Sequence, residues 1–397
     1  MANVSSSNGL EKRPKLAFRR ADGSSFPSWS RTSLSSIIEP YSEKVYGEHK
    51  YEVLTSSREG LQRQVDHFGS EQRHDTDGYN VIPFGYCTYR NRSDDGRFAF
   101  NINTISSNAI VSKFYPVFRF TNANSLFMSE FLNSSSRAKK KLSVLAVGTS
   151  QVVLSFEALK AADFDLPCKD EQDKIASFFE CLNRRIEYQR TLVDALKKYK
   201  RGVLSVAFGK YGSICSWQTT PYPFAELASR RSEKYDPRSG EQMPCVELEH
   251  IEQETGRIIG SIPSTQQNSI KGVCKSGDTL FGKLRPYLRK YAFVKKDMVC
   301  SSEIWSLVPS ETIIPEYLFY LVQTDEFIKI ANISSGTKMP RAEWSNIEKS
   351  VFSVPNKDVQ AQIVQTLRGL DSRMLDAIDM LGELQLMKEG LLQQLFI

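Results

Sequence analysis

The chain has 397 residues, 40% hydrophobic and 25% charged, with a formal net charge of +6. This length predicts about two or three folded units. The composition allows each unit to bury a core and argues against long disordered regions. The modest charge means that a polyanionic partner must be bound through local basic patches. The 7 cysteines and 4 histidines contain neither a Cys-x-x-Cys nor a His-x-x-x-His pair, so we expect reduced cysteines and no metal site.

The N-terminal segment, residues 1–17, is polar and lacks the apolar core of a signal peptide. No run of the sequence approaches the roughly 18 apolar residues of a membrane span. We therefore expect a cytoplasmic protein.

Residues 18–166 form the first predicted domain, of mixed α/β character. Within it, residues 84–92 combine aromatic, Asn and Arg side chains suited to contacts with DNA bases. The loop at 146–151 contains Gly148, which permits close approach of the backbone to a ligand. The DNA contacts predicted in this domain are Tyr86, Thr88, Arg90, Arg92, Thr149 and Gln151.

Residues 167–212 predict a long helix. From Ile175 to Ala207, a row of mostly apolar residues recurs at alternating steps of four and three, which is a heptad pattern. We call this row the heptad seam. Pro167 precedes the helix, and Asp170 is its predicted N-cap. From Asp170 to Phe208 the helix would be roughly 55–60 Å long.

Residues 213–354 form the second predicted domain, with strands over 278–284, 291–294 and 304–308 and a helix beginning at Pro315. The window 271–296 is rich in Lys and Arg with interleaved aromatic residues, a composition that suits phosphate and guanine contacts. A solvated strand–loop–strand is the alternative interpretation of this window. The loop 334–341 is a second candidate for contacts with phosphate or bases, and its alternative interpretation is a simple turn before a helix. The DNA contacts predicted here are Lys283, Arg285, Tyr287, Arg289, Lys290, Thr337, Lys338 and Arg341.

Residues 355–397 predict a second long helix, with Pro355 ahead of it and Asp358 as its N-cap. This helix is rich in acidic residues, whereas the first is basic, and opposite charges favour pairing of the two. Because a domain separates them in sequence, antiparallel pairing is expected. The alternative is that each helix packs only on its own domain.

The two halves are copies of one plan. An offset of 188 residues pairs the segment 164–172 with 352–360, and it also pairs Lys200 with Lys388 and Trp29 with Trp217. We therefore predict an α+β chain of two mixed α/β domains separated by a long antiparallel two-helix coiled coil, with a pseudo-two-fold internal duplication.

Several catalytic motifs are missing from the sequence. It has no phosphate-binding G-x-x-x-x-G-K-[ST], no G-x-G-x-x-G, no G-x-S-x-G, no Pro-Asp pair of the kind that opens many nuclease sites, and no Asn- or Asp-Pro-Pro-aromatic box. Catalysis by this chain alone is therefore not expected.

Together, these features resemble the specificity subunit of type I restriction–modification systems. Each predicted helix is entered through a Pro-x-x-x-x-Gln pattern, and the resemblance is also carried by SGDTLFGKLRPYLRK at 276–290, SSEIW at 301–305 and the loop at 335–337. It extends from about Phe18 to Ile397, and the first domain departs from the family pattern at 82–90.

The resemblance implies that both domains are target-recognition domains that read a bipartite, asymmetric site on double-stranded DNA. It also implies two modification subunits, which bring S-adenosylmethionine and methylate adenine, and restriction subunits, which use ATP and Mg2+. The chain itself would hold no cofactor. The alternatives are the same reader attached to a type II-like methyltransferase–nuclease, and a coiled-coil scaffold that binds protein rather than DNA.

Overall fold

The computed structural model describes residues 16–58, 60–69, 75–209, 217–239, 242–333 and 339–396. They form two compact units, one within 1–187 and 382–397 and the other within 188–381. The two long helices, α5 Lys169–Phe208 and α10 Lys357–Leu395, each contribute residues to both units.

The first unit contains two four-stranded sheets and two strand pairs among its described residues. Its strands are β1 Ser30–Ser33, β2 Ile38–Tyr41, β3 Glu52–Ser57, β4 Gly60–Arg63, β5 Asn80–Val81, β6 Cys87–Tyr89, β7 Arg92–Ser93, β8 Phe100–Ile102, β9 Ala109–Val111, β10 Val117–Phe120, β11 Val152–Val153 and β12 Asp163–Leu166. Its short helices are α1 Gln64–Phe68, α2 Ser125–Ser134, α3 Ser136–Leu145 and α4 Phe156–Lys160. The sheet orders are β2-β10-β6-β8 and β4-β3-β9-β5, and β1 pairs with β12 and β7 with β11.

The second unit follows helix α5, Lys169–Phe208. Its strands are β13 Thr219–Pro223, β14 Ala228–Arg230, β15 Lys234–Tyr235, β16 Pro244–Val246, β17 Ile262–Pro263, β18 Lys271–Cys274, β19 Thr279–Gly282, β20 Tyr291–Phe293, β21 Met298–Cys300, β22 Ile304–Pro309 and β23 Val351–Pro355. Its short helices are α6 Phe224–Leu227, α7 Pro315–Leu321, α8 Asp325–Ala331 and α9 Trp344–Ile347, and α10, Lys357–Leu395, follows. The sheet orders are β14-β22-β19-β20 and β15-β18-β21-β16-β17, and β13 pairs with β23.

The two units share one topology, which confirms the predicted duplication. The order β2-β10-β6-β8 matches β14-β22-β19-β20, and β1-β12 matches β13-β23. In the remaining sheets, the single parallel pair β3/β9 corresponds to β16/β21 and is flanked by equivalent antiparallel partners. The strands predicted around residues 278–308 and the helix beginning at Pro315 are also observed.

The predicted helices begin slightly earlier than expected. They start at Lys169 and Lys357, so Asp170 and Asp358 lie in the first turn and the N-cap predictions were wrong. At the second helix, Asn356 accepts a hydrogen bond from the Val359 amide at 3.0 Å, which is the geometry of an N-cap. The carboxylates in the first turn still interact favourably with the helix dipole.

The Gln of each Pro-x-x-x-x-Gln pattern is buried and joins the helix to its domain. Gln172 donates to the Pro167 carbonyl at 2.9 Å and accepts from the Asn124 amide at 2.9 Å. Gln360 likewise donates to the Pro355 carbonyl at 2.9 Å and accepts from the Ile314 amide at 2.8 Å. Buried amides are tolerated only when they are bonded in this way, so the pattern fixes the start of each long helix.

Within the second unit, the long-helix segments pair in antiparallel orientation, as predicted. Lys200 contacts Asp371, with 2.6 Å between Nζ and Oδ1, and Gln189 donates to the Ala377 carbonyl at 2.9 Å. The contacted residue therefore lies later in α10 when its partner lies earlier in α5, as expected for antiparallel helices. Gln189 and Lys200 interrupt the apolar heptad seam, and both gaps are filled by polar contacts across it.

Each unit has a three-residue polar cluster at this seam. In the second unit, Asp371 contacts Lys200 and accepts a hydrogen bond from Tyr320 at 2.9 Å. In the first unit, Glu130 accepts from Lys388 at 2.8 Å and from Asn183 at 3.2 Å. The two clusters are equivalent under the duplication, with the acid on α10 in one and on α2 in the other.

The described residues contain no helix that is long and apolar enough to cross a membrane. They also contain no group of three or more His, Cys, Asp or Glu side chains arranged to hold a metal ion.

Candidate nucleic-acid interface

The second unit contains a basic groove of about 840 Å³ next to the sheet β14-β22-β19-β20. Four of its lining residues are basic, and no Asp or Glu lines it among the described residues; the bases are Arg230, Arg231, Lys234 and Lys283. A concave surface of one charge sign concentrates the opposite charge, so the groove suits a polyanion. We call it the basic groove.

Lys283 is the first residue after strand β19, and it lines the basic groove. Its amide donates to the Glu303 carbonyl at 2.9 Å, and its carbonyl accepts from the Ala342 amide at 2.8 Å. These two bonds hold the backbone between segments that are far apart in sequence. The ammonium has no ion-pair partner among the described residues, so it is available to a ligand.

Arg230 ends strand β14 and Arg231 follows it, but the two side chains have different surroundings. Arg231 makes a two-pronged bond to the buried Asp278, with distances of 2.6 and 2.8 Å. Hydrogen bonding to this carboxylate raises the pKa of Arg231 above its ordinary value. The guanidinium of Arg230 instead lies over the rings of Trp344 and Trp305, at 4.9 and 5.9 Å from their centroids.

The turn after β19 brings together two segments that the sequence presented separately. Leu284 forms a β-bridge with Arg341, and the Arg285 amide donates to the Pro340 carbonyl at 2.8 Å. Arg285 and Tyr287 are exposed, whereas Arg341 is tied to Glu303 at 3.1 Å. Thr337 and Lys338 of the same predicted loop lie outside the described residues.

Two of the predicted DNA contacts in this window are bound internally. Arg289 donates to the Gln323 carbonyl at 3.2 Å and pairs with Asp325. Lys290 donates to the Leu248 carbonyl at 2.6 Å. These bonds hold the turn against the rest of the domain, so we leave both residues out of the proposed contact surface.

In the first unit, the equivalent position to Lys283 is Asn91. The Asn91 carbonyl accepts from the Leu154 amide at 2.9 Å, and the Lys283 carbonyl accepts from the Ala342 amide. Ala342 lies 188 residues after Leu154, which is the offset of the duplication. Arg90 and Arg92, on either side of Asn91, are exposed. The guanidinium of Arg92 lies 5.4 Å from the centroid of Phe114, a ring that is 52% exposed.

The other contacts predicted in the first domain have mixed environments. Thr88 is fully buried, and its hydroxyl donates to the Pro116 carbonyl at 2.8 Å, so it stabilises the sheet and is left out of the contact surface. Tyr86 is half-buried, with its ring 5.1 Å from that of Tyr41. Thr149 is exposed, and Gln151 donates to Asp94 at 3.0 Å.

Gly148 shapes the loop that carries Thr149 and Gln151. Its φ is +141°, and a Cβ there would lie 2.3 Å from the Gln151 carbonyl oxygen. Only glycine fits this conformation. The pairing of Arg92 with Val153 brings the loop close to Arg90 and Arg92, so the two predicted segments of the first domain also converge.

Arg230, Arg231 and Lys234 lie outside the window 271–296 and were not predicted as DNA contacts from the sequence. The run from Ser229 to Lys234 holds all three bases, and this density was the available signal. What the sequence did not indicate is that β14 lies beside β22, which places the run next to Lys283 and the two tryptophans.

Comparison with known proteins assigns the family. The model for the type I restriction modification DNA specificity domain matches residues 39–198 and 228–379. The chain belongs to the type I restriction–modification specificity family. The two matches fall one on each half of the chain, in keeping with the duplication.

Solved structures of this family share the fold. The crystal structure of a type I restriction–modification S subunit from M. genitalium is 15% identical, covers 97% of this chain and 99% of its own, and has a TM-score of 0.57. A second structure, determined in work on complex assembly and conformational transition of the type I system, is 14% identical, covers 93% and 98%, and has a TM-score of 0.54. No curated protein matches the chain significantly.

Proposed function

We propose that this specificity subunit reads a bipartite, asymmetric DNA site and positions adenine methyltransferase and restriction subunits on it. The observation that carries the proposal is the basic groove of the second unit, which has four bases and no acid among its described lining residues. The exposed Arg285 and Tyr287 follow the groove residue Lys283 in the chain. Lys and Arg provide phosphate contacts, and Arg also reads guanine edges.

Two different half-sites are expected because the duplicated domains present different side chains at equivalent positions. Where the second domain has Lys283, the first has Asn91, flanked by Arg90 and Arg92. Side chains that differ in hydrogen-bonding pattern select different bases. One chain would therefore recognise two unlike short segments with unread base pairs between them.

Helix α5 offers a surface for a protein partner. In its second half, apolar side chains lie exposed at heptad spacing: Tyr188 is 71% exposed, Leu192 47%, Tyr199 64% and Val206 40%. Rows of exposed apolar residues are typical of protein–protein interfaces, and an apolar row on a helix suits a partner helix. We assign this row to a modification subunit, with an equivalent site expected in the other repeat.

Cofactors would enter with the partner subunits. S-adenosylmethionine would be bound by the modification subunits, and ATP and Mg2+ by the restriction subunits, since this sequence lacks the motifs that bind them. The chain itself would act only through binding and orientation.

Methyl transfer from labelled S-adenosylmethionine tests this division of labour. We expect incorporation into DNA only when the chain and the modification subunits are combined, at one defined site, with two modification subunits per chain by mass. Incorporation by the pure chain alone would contradict the proposal, as would equal, sequence-independent incorporation with and without it.

A further inference from the structure

We propose that Arg230 reads a guanine in the half-site bound by the second domain. This assignment rests on the proposed function and adds a specificity-determining residue to it. The residue lies at the end of β14 and lines the basic groove together with Lys283.

A rigid aromatic platform supports Arg230. Trp305 is only 8% exposed, stacks on Phe281 at 6.3 Å and meets Trp344 edge to face at 5.6 Å. Trp305 belongs to the core and Trp344 packs against it, so the two indoles give the Arg230 guanidinium a fixed surface to lie against before any ligand arrives. Stacking of an Arg plane on an aromatic face leaves the N–H groups at its edge available.

The neighbouring Arg231 shows what a structural arginine looks like at this site. Its carboxylate partner, Asp278, is 2% exposed and also accepts from the Ser306 hydroxyl at 2.7 Å. The Arg231 amide donates to the Ser306 carbonyl at 2.8 Å. These bonds fix the backbone from which Arg230 projects, while Arg230 has no ion-pair partner among the residues that the structure describes.

The chemistry of such an arginine matches guanine better than the other bases. Guanine presents O6 and N7 as two adjacent acceptors in the major groove, and the forked guanidinium donates to both at once. A lysine can supply the same charge but not the fixed pair of parallel donors. A group already ordered by stacking also loses less conformational entropy on binding.

The first domain has no equivalent residue. The Thr121 amide donates to the Ile37 carbonyl, and the Ser310 amide donates to the Leu227 carbonyl in the same way. These equivalent bonds align the paired strands of the two copies. In this alignment Arg230, opposite Leu307, corresponds to Pro40, opposite Phe118. The guanine contact therefore belongs to one half-site only.

The Arg230→Met variant tests the assignment, because it removes every donor, whereas a lysine could still donate to both guanine acceptors. The full-length chain, assembled with its modification subunits, is used to select DNA from a randomised library, and bound sequences are counted. We expect one guanine in one half-site to lose its preference over adenine by roughly 5- to 150-fold. The other positions and the other half-site should be unchanged.

Lys234→Gln in the same groove is the matched control. It should weaken binding to all sequences and reduce the slope of log affinity against log salt by about one, with the guanine preference intact. The assignment is overturned if Arg230→Met keeps the guanine preference, if it weakens all sequences equally, or if Lys234→Gln removes the same preference. A wild-type complex that selects no sequence would overturn the proposed function and this inference together, and unchanged thermal melting verifies the fold of each variant.

Discussion

Arg285 and Arg289 flank one short 3-10 turn, Pro286–Leu288, and both have left-handed backbones with φ of 51°. Arg285 is exposed and has no side-chain partner among the described residues. Arg289 is 16% exposed at its side chain and is held by Gln323 and Asp325. The same residue type in the same backbone conformation therefore has two different environments, and we predict two different roles for it.

Substitution of each arginine by asparagine, which tolerates left-handed backbone, separates these roles. Arg285→Asn should weaken DNA binding by about 1–3 kcal/mol if it contacts a base, without lowering the free energy of unfolding. Arg289→Asn should lower the free energy of unfolding by about 1–2 kcal/mol through its lost bonds. DNA titration and urea unfolding of both variants check this, and a reversed pattern would show that the assignments are exchanged.

The sequence predicted the basic window but not which of its bases face outward. The partners that sequester Arg289 and Lys290 are Asp325 and the Leu248 carbonyl, which approach from other parts of the domain. Thr88 has a hydroxyl suited to a base contact, yet it lies on a strand whose residues are all buried. Residue type and local pattern indicate a DNA-binding segment, whereas tertiary contacts decide which side chains remain available.

At the scale of elements, the polar clusters at the helix seam explain why heptad positions 200 and 388 are lysines. Lys200 is 3% exposed and Asp371 14% at its side chain, whereas Lys388 and Glu130 are 25% and 21% exposed at theirs. Burial lowers the pKa of Lys200 despite the neighbouring Asp371 carboxylate. A buried pair of this kind favours one register of the helices, because any other register would leave a charge unpaired.

Removal of one lysine should therefore be costly at Lys200 and milder at Lys388. Lys200→Met leaves Asp371 buried without its cation and should lower the free energy of unfolding by about 3–5 kcal/mol. Lys388→Met should cost less, because Lys388 and Glu130 are more exposed at their side chains than Lys200 and Asp371. Denaturant unfolding of the two single variants gives the comparison.

The double variant Lys200→Met/Asp371→Leu is the control. Replacement of a buried pair by apolar side chains is often neutral, but Tyr320 loses its acceptor at a cost of about 1–3 kcal/mol, so the double variant should recover part of the loss. An equal cost at Lys200 and Lys388, or no recovery in the double variant, would contradict the account of the seam.

The helices were the elements most readily predicted from the sequence, since the heptad seam and the preceding prolines gave their positions to within a residue or so. Their caps were not, because Asn356 caps the second helix through a hydrogen bond that no periodicity indicates. The short strands of the first domain were also hard to predict, since several have only two or three residues.

At the scale of the whole molecule, the duplication is what links fold to function. The two copies keep one topology and one way of attaching each long helix, while the side chains at the ends of equivalent strands have diverged. Asn91 and Lys283 occupy equivalent positions, as do Pro40 and Arg230. A chain built in this way can present two different recognition surfaces on a common scaffold.

Genome-wide mapping of methylated adenine tests this central claim most directly, in cells that express the chain with its modification subunits. The wild type should methylate a site with two unlike half-sites separated by unread base pairs. Arg90→Ala with Arg92→Ala in the first domain should relax one half-site, and Lys283→Ala with Arg285→Asn in the second should relax the other. A single continuous site, or both variant pairs altering the same half-site, would contradict the account.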